Sequence, residues 1–269
     1  MASAVTPSFV TASVIATSLA GKHALVTGGG TGIGAAIAFA LAECGAGVTI
    51  SGRRLAELQV SAKRHDKIHP QTADVTDADS LRRLYHDAQA ARGAFGIVIA
   101  NAGAAESAPA EKVSRALWDH TIAVNLTGAF LSVQPALAAM REHKWGRIVF
   151  IASTAGLKGY AYVAPYVAAK HGVIGLARAL AIETAKAGIT VNAVCPGYAE
   201  TPMLERAVDR IVAATKRGAS ETRNALAANN PQARFIKPEE VAAAVVWLCV
   251  GDSAAITGQA ISVSGGETW

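Results

Sequence analysis

The sequence predicts an α/β chain: a single domain built on one doubly wound parallel sheet of about seven strands, with helices on both faces. Three observations carry this expectation. Short apolar runs alternate with helical stretches along most of the 269 residues. One of those runs, Phe95–Ala100, holds Ile97, Val98 and Ile99 without a polar break, as a strand covered on both faces requires. No stretch rich in Pro, Gly and Ser divides the chain.

The elements follow in order. His23–Gly28 reads as a strand leading into a glycine cluster, and Ala35–Cys44 as an Ala-rich helix. Gly47–Ser51 is a second strand, Leu55–Arg64 a helix, Lys67–Ala73 a third strand and Leu81–Arg92 a helix. After Phe95–Ala100, the pattern over Leu117–Glu142 fits one long helix, or two with a bend near Gln134-Pro135, because proline withholds a helix donor. Strand Arg147–Ala152, helix Pro165–Lys186, strand Thr190–Val194, helix Glu239–Val250 and strand Ala260–Val263 complete the alternation. Residues 198–237 are long and short of strand signal, which predicts a mobile helical flap within a catalytic domain spanning 21–269. Residues 1–20 are rich in Ala, Ser, Thr and Val and lack the basic start of a secretory signal, so they read as a flexible N-terminal extension.

Composition narrows the class. Hydrophobic residues at 51% and charged residues at 17% suffice for a large core and leave apolar surface for another subunit to bury. The net charge of +5 is scattered, with no basic run interleaved with aromatics. That argues against a nucleic-acid partner and suits mild attraction to an anionic cofactor or substrate. No run of about 18 uninterrupted apolar residues suggests a membrane span. Cys44, Cys195 and Cys249 have neither disulfide nor zinc spacing, and the histidines show no metal pattern. A reducing, cytoplasmic setting without a catalytic metal is therefore expected. Trp118, Trp145, Trp247 and Trp269 read as packing residues.

Chemistry enters at the glycine cluster. Thr27-Gly28-Gly29-Gly30-Thr31-Gly32-Ile33-Gly34 joins the first strand to the first helix. Glycines let the backbone turn tightly and approach a pyrophosphate, while the helix N-terminus offers free N–H groups. This Rossmann-like placement points to a dinucleotide, with Gly28, Thr31, Gly32, Ile33 and Gly34 as contacts. The second strand ends in Ser51-Gly52-Arg53-Arg54, with no carboxylate to hold a free ribose 2′-hydroxyl. Arg53 and Arg54 suit a 2′-phosphate instead, which favours NADP(H) and leaves NAD(H) open. Farther on, Tyr166 and Lys170 stand four apart at the start of a helical stretch, and so share a face. A neighbouring ammonium favours a phenolate, bringing the tyrosine closer to proton exchange at neutral pH.

With these motifs in place, the chain resembles the short-chain dehydrogenase/reductase superfamily from about Leu19 to its C-terminus. The motifs occur in family order: the glycine loop, Asp74-Val75, Asn101-Ala102-Gly103, Asn125 in Asn-Leu-Thr-Gly, Ser153, Tyr166 with Lys170, and Pro196-Gly197. Ser153 precedes Tyr166 by the family's usual separation. The resemblance implies Tyr166 as acid/base and Lys170 as the group that holds the nicotinamide ribose and lowers the Tyr166 pKa. It implies Ser153 as the hydrogen-bonding partner of the substrate oxygen, and Asn125 as the holder of a water that links Lys170 to solvent. Asp74 and Val75 would meet the adenine. Asn101, Ala102 and Gly103 would line the cofactor, and Pro196, Gly197 and Thr201 would shape the nicotinamide pocket. The glycine loop departs from many NADP(H) relatives in carrying Gly30 and Thr31 where a basic residue is frequent, which places the discrimination on Arg53.

The resemblance further implies hydride transfer between NAD(P)(H) and a ketone or secondary alcohol, closest to reductases of 3-oxoacyl thioesters on CoA or a carrier protein. A catabolic secondary-alcohol or 3-hydroxy acid dehydrogenase is the alternative within enzymes. A dinucleotide-binding sensor or scaffold is the alternative outside them, and the intact Tyr166 and Lys170 disfavour it. Specificity is expected in Ala104–Glu111 and Tyr198–Phe235, with Arg206, Arg210, Lys216 and Arg217 as candidates for an anionic carrier. The family's helical faces predict a homotetramer.

Overall fold

The computed structural model describes residues 18–215 and 217–269. Its strands are β1 (His23–Thr27), β2 (Gly47–Gly52), β3 (Ile68–Thr72), β4 (Ile97–Ala100), β5 (Gly146–Ile151), β6 (Ile189–Pro196) and β7 (Ala260–Val263). They form one seven-stranded sheet in the order β3-β2-β1-β4-β5-β6-β7, parallel throughout. All four residues of β4 and all eight of β6 are buried. That explains the unbroken apolar reading of β4, and each fully buried Ile or Val contributes about 1.5–3 kcal/mol.

The helices are α1 (Gly32–Glu43), α2 (Leu55–Ala62), α3 (Ala78–Arg92), α4 (Arg115–Glu142), α5 (Ala164–Thr184), α6 (Pro202–Thr215), α7 (Ala219–Ala227) and α8 (Pro238–Cys249). One face of the sheet is covered by Ile37 and Leu41 of α1, Leu58 of α2, and Val241, Val245 and Leu248 of α8. Leu81 and Leu84 of α3, Val133 and Met140 of α4, and Val173 and Ala177 of α5 cover the other. The strand order reverses between β1 and β4, which opens a crevice beyond their carboxyl ends, where ligands bind in doubly wound sheets.

Several elements differ from the sequence expectation for identifiable reasons. Helix α1 starts at Gly32, inside the glycine loop rather than after it. Helix α3 starts earlier because Asp77 caps it, accepting a hydrogen bond from the Asp79 amide at 2.8 Å. Helix α4 is interrupted at Gln134–Ala136, where Pro135 sits, and also by a π-helical turn at Ala123–Thr127 that no proline or glycine announces. This helix is long and apolar enough to cross a membrane, a property that counting uninterrupted apolar residues did not register. Here Val133, Ala136 and Met140 pack it onto the sheet. The stretch after β6 is helical as expected, in α6 and α7.

Of the expected N-terminal extension, residues 1–17 lie outside the described residues. Leu19 is buried, and its amide donates to the Cys44 carbonyl at 2.9 Å. The tryptophan expectation needs correction. Lys22 and Arg147 approach the Trp145 ring, but Trp118, Trp247 and Trp269 are exposed on the single chain. The three cysteines are free and buried.

Candidate active site

The residues that the motifs singled out collect at the carboxyl edge of the sheet. Gly28 follows β1, Arg53 follows β2, Asp74 lies just past β3, Asn101 follows β4, Ser153 lies just past β5 and Gly197 follows β6. Parallel strands all end on one side, so motifs scattered over about 170 residues of sequence meet along one edge.

At the crevice, the glycine loop is locked to the end of β4. The Asn101 side-chain amide donates to the carbonyls of Thr27 (2.9 Å) and Gly28 (3.2 Å). The amides of Asn101 and Ala102 both donate to Thr27 Oγ1 at 3.1 Å. Gly28 and Gly32 have left-handed backbones, with φ of +66° and +54°. A Cβ on Gly34 would lie 2.3 Å from the Gly28 carbonyl oxygen, so only glycine permits this closeness. Thr31 provides no side-chain cap to α1, whose first turn carries no acidic residue. The amides there are open to an anion, so the loop fits a dinucleotide pyrophosphate. On the far side, Gly32 packs against Thr201, which puts α6 beside the loop.

The two arginines after β2 differ. Arg54 pairs with Glu57 at 2.7 Å, whereas Arg53 is exposed and its charge acts on Asp74. Burial opposes the Asp74 charge. Hydrogen bonds from the Thr76 amide (2.9 Å) and hydroxyl (2.7 Å), together with Arg53, outweigh it and lower the carboxyl pKa. Val75 is buried against Gly128 of α4.

The catalytic candidates converge from three elements. Ser153 begins the turn Thr154–Gly156 after β5, and its hydroxyl accepts from the Ala155 amide at 3.1 Å. Tyr166, in the first turn of α5, lies close enough to the Ser153 side chain for that hydroxyl to favour its ionised form. Lys170, one turn on, is 4% exposed and donates to the Ile151 carbonyl at 2.8 Å. Its Nζ lies 5.5 Å from the centre of the Tyr166 ring. A Cβ on Gly156 would lie 2.7 Å from the Lys170 carbonyl oxygen, so a glycine lets the serine turn close onto α5. Pro196 ends β6, and the Gly197 amide just after it donates to the Val263 carbonyl of β7 at 3.1 Å.

The electrostatics differ from the sequence expectation. Burial pushes the Tyr166 phenol up to about 12, with the Ser153 hydroxyl acting in the opposite sense. Lys170 is not among the groups that lower it. Burial pulls Lys170 itself down to about 8. In the chain alone, desolvation thus favours the uncharged form of each group.

Asn125 sits on the π-helical turn, 1% exposed. Its Oδ1 accepts from the Ala104 amide (3.2 Å), and its Nδ2 donates to the carbonyls of Ala104 (2.8 Å) and Thr121 (2.9 Å). The side chain is thus committed to backbone, and it ties the loop after β4 to α4. A Cβ on Gly103 would lie 3.0 Å from Asn125 Oδ1 and 3.8 Å from Lys170 Nζ, so Gly103 leaves room for that junction.

Sequence reasoning missed a polar cluster beside the Ser153 turn. The Glu267 carboxylate, near the C-terminus, is 1% exposed and pairs with Lys158 at 3.0 Å. It also accepts a hydrogen bond from Tyr160, whose ring meets Tyr198 edge-on at 6.4 Å. Glu267 follows Tyr160 by 107 positions and belongs to no motif, so no local signal could have found it. Of the arginines considered for the entrance, Arg210 donates to the Ala105 carbonyl at 2.9 Å, and Arg217 lies 3.7 Å from Glu221. Lys216 is outside the described residues. Among the described residues, no group of three or more His, Cys, Asp or Glu could hold a metal ion.

Residues 22–211 match the short chain dehydrogenase family. The chain belongs to that family. It is 40% identical over 250 residues to a granaticin polyketide synthase putative ketoacyl reductase of Streptomyces violaceoruber, covering 90% of this chain and 92% of the relative. It is 36% identical over 255 residues to a D-beta-hydroxybutyrate dehydrogenase of Cupriavidus necator, covering 92% and 98%. Among solved structures, an actinorhodin polyketide ketoreductase variant with NADPH superposes with a TM-score of 0.89 at 36% identity, covering 94% of this chain and 98% of that one. Family membership makes the chain an oxidoreductase.

Proposed function

We propose that the protein interconverts a ketone and a secondary alcohol with NADP(H), acting as a reductase of 3-oxoacyl thioesters or related polyketide-like ketones. The observation that carries this reading is the convergence of Tyr166, Ser153 and Lys170 beside a glycine loop built for a pyrophosphate. When bound, the nicotinamide supplies or accepts the hydride.

The remaining chemistry belongs to the chain. Gly28, Thr31, Gly32, Ile33 and Gly34 hold the pyrophosphate at the start of α1. Asp74 and Val75 border the adenine, and Asn101, Ala102 and Gly103 the ribose side. Arg53 recognises the 2′-phosphate, and Arg54 contributes less because Glu57 holds it. Pro196, Gly197 and Thr201 bound the nicotinamide pocket. Ser153 and Tyr166, which already influence each other, receive the substrate oxygen between them. In reduction the Tyr166 hydroxyl gives that oxygen a proton, and in oxidation the phenolate takes one. Lys170 uses one N–H on Ile151 and keeps two for the cofactor ribose and the proton path. Asn125 fixes the Ala104 backbone beside Lys170 and so keeps that path open.

Likeness to a ketoacyl reductase and to an NADPH-containing ketoreductase supports the substrate class and cofactor. Likeness to a hydroxybutyrate dehydrogenase supports the second reading, oxidation of a 3-hydroxy acid. We further propose a cytoplasmic homotetramer with neither a nucleic-acid nor a membrane partner. In support, Trp118 of α4, Ile182 of α5 and Trp247 of α8 are 41%, 84% and 46% exposed on the single chain, as faces awaiting partner subunits would be. The test is a panel of 3-oxoacyl thioesters, cyclic ketones and 3-hydroxy acids, each followed by nicotinamide absorbance with NADPH/NADP and NADH/NAD. Turnover of 3-oxoacyl thioesters or cyclic ketones with NADPH is expected. Turnover confined to 3-hydroxy acids with NAD would replace the first reading by the second, and none with any pair would refute both.

A further inference from the structure

The buried carboxylate of Glu267 is not explained by the chemistry above. Its Oε1 takes two donors, Tyr160 Oη and Lys158 Nζ, while Oε2 is buried with no hydrogen-bond partner among the described residues. A buried carboxylate oxygen that no protein donor reaches is destabilising, so the arrangement calls for a compensating role. The chain is built to bring it there. After β7, Gly265 and Gly266 adopt left-handed backbones, with φ of +65° and +94°. The Thr268 amide donates to Ser264 Oγ at 3.2 Å, which closes the turn. A Cβ on Gly197 would lie 3.1 Å from Glu267 Oε2, so that glycine also makes room for the carboxylate.

The hydrogen bonds have a determined direction. Tyr160 has one hydroxyl proton, and Glu267 accepts it. Burial, and then Glu267, raise the Tyr160 pKa, so the phenol stays protonated. The contact between Thr154 Oγ1 and Tyr160 Oη, at 2.6 Å, must therefore have Thr154 as donor. Thr154 is 3% exposed, directly follows Ser153 and opens the turn Thr154–Gly156. Its carbonyl accepts from the Leu157 amide (2.9 Å) and the Lys158 amide (3.0 Å). Lys158, two residues past that turn, is Glu267's other partner. The carboxylate thus reaches Thr154 by two routes, through the Tyr160 hydroxyl and through Lys158, whose amide bonds the Thr154 carbonyl.

We propose that Glu267 is a positioning residue: through Tyr160 and Lys158 it fixes the Ser153 turn, so that the C-terminal segment sets where the substrate oxygen is held. The proposal rests on the reading of Ser153 and Tyr166 as the pair that meets that oxygen. A misplaced serine slows the chemical step and leaves the distant pyrophosphate cradle intact.

The test uses the full chain with NADPH and the best ketone of the panel. Glu267→Ala is expected to lower kcat by about 10- to 100-fold, with KM for NADPH within about twofold of native. Glu267→Gln keeps an oxygen acceptor for both donors and is expected to recover kcat to within about threefold of native. Tyr160→Phe cuts the chain between Glu267 and Thr154 while sparing the lysine pair. It is expected to lower kcat alone, and the Tyr160→Phe/Glu267→Ala double variant to fall no further than Glu267→Ala. Hydrogen exchange at the Ala155 and Gly156 amides needs no turnover and should accelerate about tenfold or more in Glu267→Ala. Unchanged kcat in Glu267→Ala, a parallel loss of NADPH affinity without rescue by Gln, or losses that multiply in the double variant would each overturn the proposal. If Glu267→Ala fails to fold, Tyr160→Phe decides, and unchanged kcat there overturns it. A native enzyme inert toward every panel ketone refutes the proposed function instead. The exchange measurement then still judges the grip on the turn, and unchanged exchange overturns it.

Discussion

Lys170 is placed where its charge is a burden on the fold. Burial lowers its pKa from an ordinary 10.5 to about 8, which at about 1.4 kcal/mol per pH unit is a penalty of about 3 kcal/mol on the charged form. The sign follows from proton counts. Between pH 8 and 10.5 the unfolded chain binds more protons than the folded one, so this group makes stability rise with pH across that window. Below pH 8 the full penalty applies, and above 10.5 it is gone. Lys170→Met removes the charge but leaves the Ile151 carbonyl without its 2.8 Å donor, a loss of about 1–2 kcal/mol. The net expectation at pH 7 is a gain of about 1–2 kcal/mol, or about 2–6 °C in Tm for a chain of this size. Near pH 10 the gain shrinks and then reverses. Thermal unfolding followed by circular dichroism at both pH values, without cofactor, measures it, and ketone turnover should be lost at the same time. A variant less stable than native by the same amount at pH 7 and pH 10 would refute the reasoning, because burial would then impose no charge penalty.

Three further outcomes are expected. Tyr166→Phe should lower kcat by about 10²–10⁴-fold, the usual worth of a positioned acid/base, while NADPH binding read by fluorescence stays near native. Arg53→Ala should raise KM for NADPH by about 10-fold or more and leave that for NADH within about twofold, and equal effects on both would remove Arg53 from 2′-phosphate recognition. Gly34→Ala places a methyl 2.3 Å from the Gly28 carbonyl oxygen and should abolish binding of either dinucleotide or unfold the loop, as calorimetric titration and Tm will report.

Legibility in the sequence followed the range of the interaction. The unbroken apolar run at Ile97–Ile99 predicted a doubly covered strand, and β4 lies at the centre of the sheet. Gly28, Gly32 and Gly34 were readable because a tight backbone approach demands glycine at fixed spacing. Pro135 announced one break in α4 by its missing donor. The π-helical turn at Ala123–Thr127 had no such mark, although Asn125 bonds within it to Thr121 and across to Ala104. The start of α1 was placed too late because glycine is a poor helix former, and here Gly32 and Gly34 are held by close packing against Thr201 and Gly28 instead.

By itself, then, the sequence determined what periodicity and short motifs can encode: the alternation of strands and helices, the glycine loop, and the Tyr166–Lys170 spacing that puts both residues on one face of α5. Tertiary structure alone decided how strongly the charged forms are disfavoured, since desolvation depends on what surrounds a group: burial pushes Tyr166 up to about 12 and Lys170 down to about 8. It also separated Arg53 from Arg54, through Glu57, and carried Glu267 across more than a hundred residues to the serine turn. Contacts of that range leave no periodic trace, because only the closing of the sheet brings their partners together.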